Sequence, residues 1–358
     1  MNHRSLSHHL LRPWLTGLCG SWICVWIAGP WILNSILVRC YDSDLDSILF
    51  CEGDVIRWRS EGWGTTRVGP HGLPGWMPNG ASERVVIWGD SQVEGLCVDD
   101  ANKINNQMIL VTQEETSRSI DCIPIGRSGS DAAHWNRMIS NADQLWHPIV
   151  HVWVIAELSD LLAIVDPEAA DDVVDRWQSE SSAPIRWAKQ LHAEAAFQAA
   201  RNGLLDRESG GLRSLRFSPG PVQQPELAAR HPTGTPNNDR KLRSVGSRLS
   251  ETNRSIGNRL LVVYAPAVPR IVGRMVLDHP DDDDWNQLQA ILSTNAIATI
   301  DLRPAFIDHW RLDAKFARGF HNGTPGFGHL NEAGNRLIAS AISEHLFSQH
   351  QSSSAAAP

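Results

Sequence analysis

The chain has 358 residues, enough for one large domain or two small ones, and its apolar share of 42% is ordinary for a globular protein. A net charge of -8 argues against a general nucleic-acid binder, which needs a basic face. Fifteen Trp against two Tyr is unusual, but Trp serves sugar stacking, core packing and membrane interfaces alike and excludes none of them. In chain order, residues 14–38 come first. They read WLTGLCGSWICVWIAGPWILNSILV, carry no charge, and are long enough to cross a bilayer core of about 30 Å at about 1.5 Å per residue. Arg4 and Arg12 precede them, which favours a cytoplasmic N-terminus. A cleaved signal peptide is the rival reading, but its apolar core runs only about 7–15 residues. The expectation is a cytoplasmic segment 1–13, a transmembrane anchor 14–38, and the bulk of the chain on the extracytoplasmic side, periplasmic or outer.

Beyond the span lie Cys40, Cys51, Cys97 and Cys122. They allow two disulfides, with Cys40–Cys51 and Cys97–Cys122 closing the shortest loops, or they stay as free buried thiols. Residues 39–83 form a turn-rich approach segment. From Arg84 the pattern becomes regular. An apolar run, Val85-Val86-Ile87-Trp88, stops at Gly89-Asp90-Ser91, and helix-compatible sequence follows to about Thr116. Strands are expected over 119–125 and 147–156, with a helix from about Ala132 to Asn141 between them. Strand alternating with helix implies a parallel sheet. Residues 166–258 break the rhythm and read as an insertion: a helix over about 171–201, then a stretch rich in Gly, Pro, Ser, Asn and Arg over 206–257. That stretch is expected to be partly mobile, as a solvated surface or a substrate lid. Strands resume at 260–266 and 296–302, with a helix over 284–292 between them. A final amphipathic helix carries Leu337, Ile338, Ala341, Ile342 and Leu346 on its apolar side. Residues 348–358 read as a disordered tail.

Ser91 falls at the carboxyl end of a strand and in the first turn of a helix. Backbone N–H groups there point outward, and the helix dipole favours negative charge. A serine so placed is either a helix cap, with Asp90, or a nucleophile. A nucleophile needs a base, and His329 is the candidate, in a Gly-rich loop just before the last helix. An oxyanion needs convergent donors. The N–H groups of Ser91 and Gly129 and a side chain near Ser159 are placed to supply them, because in parallel sheets sites form beyond the carboxyl ends of the strands. No metal motif or cofactor motif is present. The acidic run Asp281 to Asp284 reads as a solvated helix start.

Four blocks in order then carry a resemblance: Gly89-Asp90-Ser91 with Gly95, Gly126-x-x-Gly129, a strand ending near Ser159-Asp160, and His329-Leu330-Asn331-x-x-Gly334. Together they resemble the SGNH hydrolase superfamily, the GDSL-type esterases and lipases, over residues 84–347, and the approach segment resembles that of membrane-anchored bacterial members. The resemblance implies a three-layer α/β/α sandwich around a central parallel sheet. It also implies Ser91 as nucleophile, His329 as general base, and the N–H groups of Ser91 and Gly129 as oxyanion donors. Two positions depart from the family. Ser159 stands where an Asn donor is expected, and Gly326 stands where an Asp orients the histidine. The orienting group is then a backbone carbonyl or an acid from elsewhere, such as Asp301 or Asp308. The function expected is a serine-dependent acyl-ester hydrolase, with an acyl ester or acylated carbohydrate as substrate. The alternatives are an O-acetyltransferase acting on an exported polysaccharide and a catalytically degenerate binding protein.

Overall fold

A computed structural model describes residues 13–24, 34–35, 37–165, 236–266, 270–272, 275–277 and 281–347. Five strands form one parallel sheet: β5 (Glu83–Gly89), β6 (Ile120–Gly126), β7 (Val150–Ile155), β8 (Leu260–Tyr264) and β11 (Ala298–Asp301), in the order β11-β8-β7-β5-β6. Each is a short, nearly continuous apolar run, as strands covered on both faces require. Alternate residues feed opposite cores, as the period of two dictates. Val86, Trp88, Trp153 and Val262 pack on one side with α3 (Ala132–Trp146), α4 (Leu158–Leu162), α5 (Pro236–Ser255) and α6 (Asp282–Thr294). Val85, Ile87, Val152 and Val263 pack on the other with α2 (Ile104–Thr116), α7 (Arg303–Asp313) and α8 (Glu332–Phe347). The architecture is thus the expected α/β/α sandwich. Much of the Trp content serves it: Trp88, Trp135, Trp153 and Trp285 are among the largest fully buried side chains.

The first core strand, β5, lies between β6 and β7, so chain connections leave it in opposite directions. Such a switch point opens a crevice at the carboxyl ends of the strands. The four-residue helix α1 (Ser91–Glu94) begins there.

The approach segment is more ordered than its turn-rich composition suggests. It forms two hairpins, β1 (Arg39–Asp42) with β2 (Ser47–Phe50), and β3 (Val55–Trp58) with β4 (Gly64–Arg67). A Cys40–Cys51 disulfide crosslinks the first, whereas Cys97 and Cys122 are buried free thiols, so each of the two cysteine readings holds for one pair. Phe50, Ile56, Val68 and Leu96 make a small third core under the hairpins. Trp76 Nε1 donates to Asp121 Oδ1 at 3.0 Å, and the backbone N–H of Arg67 donates to Asp100 Oδ2 at 2.9 Å; both bonds fasten the segment to the sandwich.

At the N-terminus a helix covers 13–24, with every residue exposed. Among the described residues no helix is long and apolar enough to cross a membrane. Most of the remaining predicted span lies outside the described residues. Its end is docked on the domain: Ser35 N–H donates to Arg57 O at 2.8 Å, and Val38 is buried.

The expected insertion needs correction at its far end. Residues 166–235, with the helix expected over 171–201, lie outside the described residues. Pro236–Ser255, however, is a core helix rather than a mobile stretch: Leu242, Val245 and Leu249, with Ile256 just past its end, are all buried against the sheet. Their spacing is helical. The small pair β9 (Arg270–Val272) and β10 (Met275–Leu277) and helix α7 were not anticipated. The tail 348–358 lies outside the described residues.

Leu249 is completely buried in this layer. Leu249→Ala should therefore destabilise the fold by about 2–5 kcal/mol. Chemical denaturation of both proteins measures it, and a change below about 0.5 kcal/mol, the usual size for a surface site, would remove α5 from the core.

Candidate active site

Ser91 is held by a set of local constraints. β5 ends at Gly89, where a Cβ would fall 2.4 Å from Val93 Cγ2, so the chain can fold back tightly there. Asp90 is the helix cap, its Oδ1 accepting the Gln92 N–H at 2.8 Å. Gly95 adopts the left-handed conformation (φ 59°) and closes the turn by donating to Ser91 O at 3.0 Å. Lys103, completely buried, donates to the carbonyls of Glu94 and Gly95 at 2.8 and 2.7 Å, a cation at the carboxyl end of the short helix. The cap and nucleophile readings are thus divided between neighbours: Asp90 caps, and Ser91 is the first helical residue with its hydroxyl free to point elsewhere.

That hydroxyl points at His329, Ser91 Oγ lying 3.0 Å from Nε2. On the far side of the ring, Nδ1 lies 2.6 Å from Glu61 Oε2, and the His329 backbone N–H donates to Glu61 Oε1 at 2.9 Å. An ionised carboxylate only accepts, so in the neutral ring the proton sits on Nδ1 and leaves Nε2 free to accept from the serine. Ser91, His329 and Glu61 form a continuous hydrogen-bond chain of nucleophile, base and orienting acid.

Glu61 answers the question of what orients His329, and neither acid named from sequence does so. Asp301 is bound to Arg303, with Oδ2 at 2.6 Å from its NH2, and Asp308 is exposed and pairs with Arg311 at 3.5 Å. Position 326, where the family's acid is expected, holds a glycine in the left-handed region (φ 81°) against the Phe316 ring. Glu61 reaches in from the β3–β4 turn, 268 residues earlier. Two features make room for it and hold it. At Gly328, with φ 99°, a Cβ would lie 2.3 Å from Glu61 Oε1, so only glycine admits the carboxylate. Asn322 clamps the turn: its Oδ1 accepts from Gly62 N–H at 2.8 Å, and its Nδ2 donates to the carbonyls of Arg59 and Gly62 at 3.1 and 2.8 Å.

The histidine loop is fastened to the serine helix independently. Gln92 Oε1 accepts from Leu330 N–H at 2.9 Å and from Arg318 NH1 at 3.0 Å. Arg318 is buried and also donates to the carbonyls of Pro266, Gly328 and Ala265, tying β8, the histidine loop and α1 together.

The Gly129 loop is stapled to the end of β5: Arg127 N–H donates to Gly89 O at 3.2 Å and Ser130 Oγ donates to the same carbonyl at 3.1 Å. Gly129 has φ 76°, and the space beside its α-carbon is open. Behind it, a Cβ on Gly126 would meet Glu94 N at 2.1 Å, so the loop lies flush on α1. Ser159, in α4, is exposed, and its hydroxyl donates to Glu157 Oε2 at 3.3 Å. The structure therefore brings Ser91, His329 and the Gly129 loop together and turns the Ser159 hydroxyl to another partner. The acidic run is a helix start, as read, with Asp282 paired to Arg303 at 3.0 Å.

Charge around the site is uneven. Burial pushes the Glu61 carboxyl up, but the hydrogen bonds from the ring and backbone of His329 outweigh it and hold the group below the usual carboxylate range. The His329 ring is shifted upward by the Cys97 sulfur and by Glu61, against the opposing effect of burial. Asp160 is pushed up to about 8, first by burial and then by the charges of Asp90 and Glu157.

No family model matches this chain, and no curated protein matches it. Among solved structures it is similar to the acetyl xylan esterase AlAXEase, at 16% identity over 74% of this chain and 100% of that one, with a TM-score of 0.39. It is also similar to the lipase/acylhydrolase from Enterococcus faecalis, at 11% identity over 75% and 96% of the two chains and a TM-score of 0.36. A variant of Axe2, an acetyl xylan esterase from Geobacillus stearothermophilus, matches at 11% identity over 74% and 94%, with a TM-score of 0.36. Scores this low leave the function to the chain's own geometry.

Asp160 supplies a stability test. Its carboxyl is raised in the folded state, so the native protein binds this proton more tightly than the unfolded chain does. The side chain therefore costs stability as pH rises from its unfolded pKa of about 4 to about 8. Asp160→Asn should raise Tm relative to the parent by an amount that grows across that window and is constant above it. A pH-independent difference would contradict the assignment.

Proposed function

We propose that this protein is a serine hydrolase, and within that class an acyl-ester hydrolase of SGNH type. The observation that carries the reading is the unbroken chain from Ser91 Oγ through His329 to Glu61. Its completeness also counts against a degenerate scaffold kept only for binding.

In this reading Ser91 Oγ attacks the ester carbonyl carbon while its proton passes to His329 Nε2. The carbonyl oxygen becomes an oxyanion, held by the N–H groups of Ser91 and Gly129. Collapse of the tetrahedral intermediate expels the alcohol, which takes the proton from Nε2 and leaves an acyl-serine. Water then attacks the acyl-serine, again giving its proton to His329, and the acid leaves as Ser91 recovers its hydrogen. Glu61 keeps the ring in the productive tautomer and stabilises the imidazolium that forms. Ser159 would join as a third donor only by turning from Glu157. The exposed apolar helix over 13–24, with Trp14, Leu15, Leu18 and Trp22 facing solvent, supports the reading that this end attaches the protein to a membrane. The Cys40–Cys51 disulfide supports a site that works outside the cytoplasm.

Hydrolysis of short-chain p-nitrophenyl esters tests the proposal. Ser91→Ala should reduce turnover to the background rate, and Glu61→Gln should lower kcat by about ten-thousand-fold with KM little changed, the size of effect seen when a triad acid is made neutral. Activity surviving in Ser91→Ala would end the proposal; a fully active Glu61→Gln would remove the acid from it.

The base must be neutral to act, and the raised pKa of His329 sets the acidic limb of kcat/KM on the alkaline side of an ordinary histidine. Cys97→Ala should move that limb toward lower pH, because the sulfur is the first cause of the upward shift. A limb unmoved in the variant would count against the coupling.

A further inference from the structure

Cys97 forms and breaks no bond in the chemistry above, yet it lies against the base and shifts it. It is buried and unpaired, and one ligand atom each from Cys97, Glu61 and His329 lie within 4.8 Å of one another. This closeness is built into the backbone. The Trp63 N–H donates to Cys97 O at 3.1 Å. A Cβ on Gly62 would fall 2.1 Å from that same oxygen, and one on Gly64 would fall 2.2 Å from Leu96 O. The turn that delivers Glu61 is thus pressed flat on the segment that delivers Cys97.

We propose that Cys97, Glu61 and His329 form an inhibitory site for a thiophilic divalent cation, with Zn2+ the best fit. Sulfur, imidazole nitrogen and carboxylate oxygen are the three zinc donors, and three protein ligands leave a fourth position for water. Thiolate and imidazole select zinc over magnesium and calcium, which prefer oxygen. Glu61 and His329 keep 24% and 30% of their side chains exposed, which gives a cation a way in. Zinc binds such ligands at about 2.0–2.3 Å, so Nδ1 and Oε2, now 2.6 Å apart, would part by about 0.7 Å to admit it.

Binding and catalysis exclude each other. The cation takes the Nδ1 lone pair, and the single proton of the neutral ring moves to Nε2. The thiol of Cys97 loses its proton to solvent, so one proton is released per ion bound. Nε2 then carries hydrogen and cannot accept the Ser91 proton. If the ion instead took Nε2, it would occupy the acceptor itself.

The test uses the whole protein with two probes. Co2+ titration reads binding directly, through the near-ultraviolet thiolate-to-cobalt charge-transfer band, and needs no hydrolysis. Failure of the esterase reading would therefore leave this result standing. The expected outcome is one Co2+ per chain with that band, displaced by Zn2+, and absent in Cys97→Ala and Cys97→Ser. Ester hydrolysis, each protein compared with its own metal-free rate, should fall about tenfold when free Zn2+ is about ten times its Kd, and return on adding a chelator. Both variants, checked for an unchanged melting profile, should lose this sensitivity. Absence of the band in the parent, or equal zinc inhibition in parent and variants, would overturn the proposal.

Discussion

In its neutral, active form the imidazole of His329 has one proton and two acceptors competing for it, and the site depends on which nitrogen holds it. The Glu61 carboxylate settles the matter by accepting at Nδ1. The backbone N–H of the same histidine binds the other carboxylate oxygen, so the residue is gripped at two points and the ring cannot rotate without breaking one of them. The surrounding structure maintains that grip. Asn322 fixes the turn behind Glu61, Gly328 leaves space for the carboxylate, and Arg318 with Gln92 lashes the histidine loop to the serine helix. Ser91 needs little further placement, because the switch point of the sheet has already delivered it.

Electrostatics around the serine pull the other way. Asp90, Asp160 and Glu157 lie near the carboxyl end of the sheet, and negative charge there opposes an oxyanion. Burial relieves part of the conflict by keeping Asp160 protonated up to about pH 8. Asp90, also raised by burial, spends its carboxylate on the helix cap. The buried cation Arg318 faces the same group.

Where an element was legible in the sequence, a simple physical pattern lay behind it. The parallel strands were short apolar runs, and the serine block stood at the Gly-terminated end of one of them; the histidine block stood in a Gly-rich loop before the last amphipathic helix. Helix α5 was hidden by composition: its polar, Arg- and Ser-rich solvent face outweighed the helical spacing of Leu242, Val245, Leu249 and Ile256, which could have revealed it. Glu61 was not legible at all. A carboxylate in a turn carries no motif, and its partner lies at the other end of the domain. The one indirect signal was glycine at 326 and 328, which marks a loop that gives its space to something arriving from elsewhere. The thiols were legible only as alternatives, since spacing does not say which cysteines the fold brings face to face.

The distance along the chain between Glu61 and His329 has a consequence for assembly. Acid and nucleophile both come from the beginning of the folded domain and the base from its end, and a pair 268 residues apart closes only after the chain between has been made. On a ribosome, the serine would emerge into a site with no base, and the acid would wait in its hairpin for a partner not yet made. The centre thus works as a check on completeness: a chain interrupted anywhere between the serine helix and His329 keeps a serine, but not one that has been switched on.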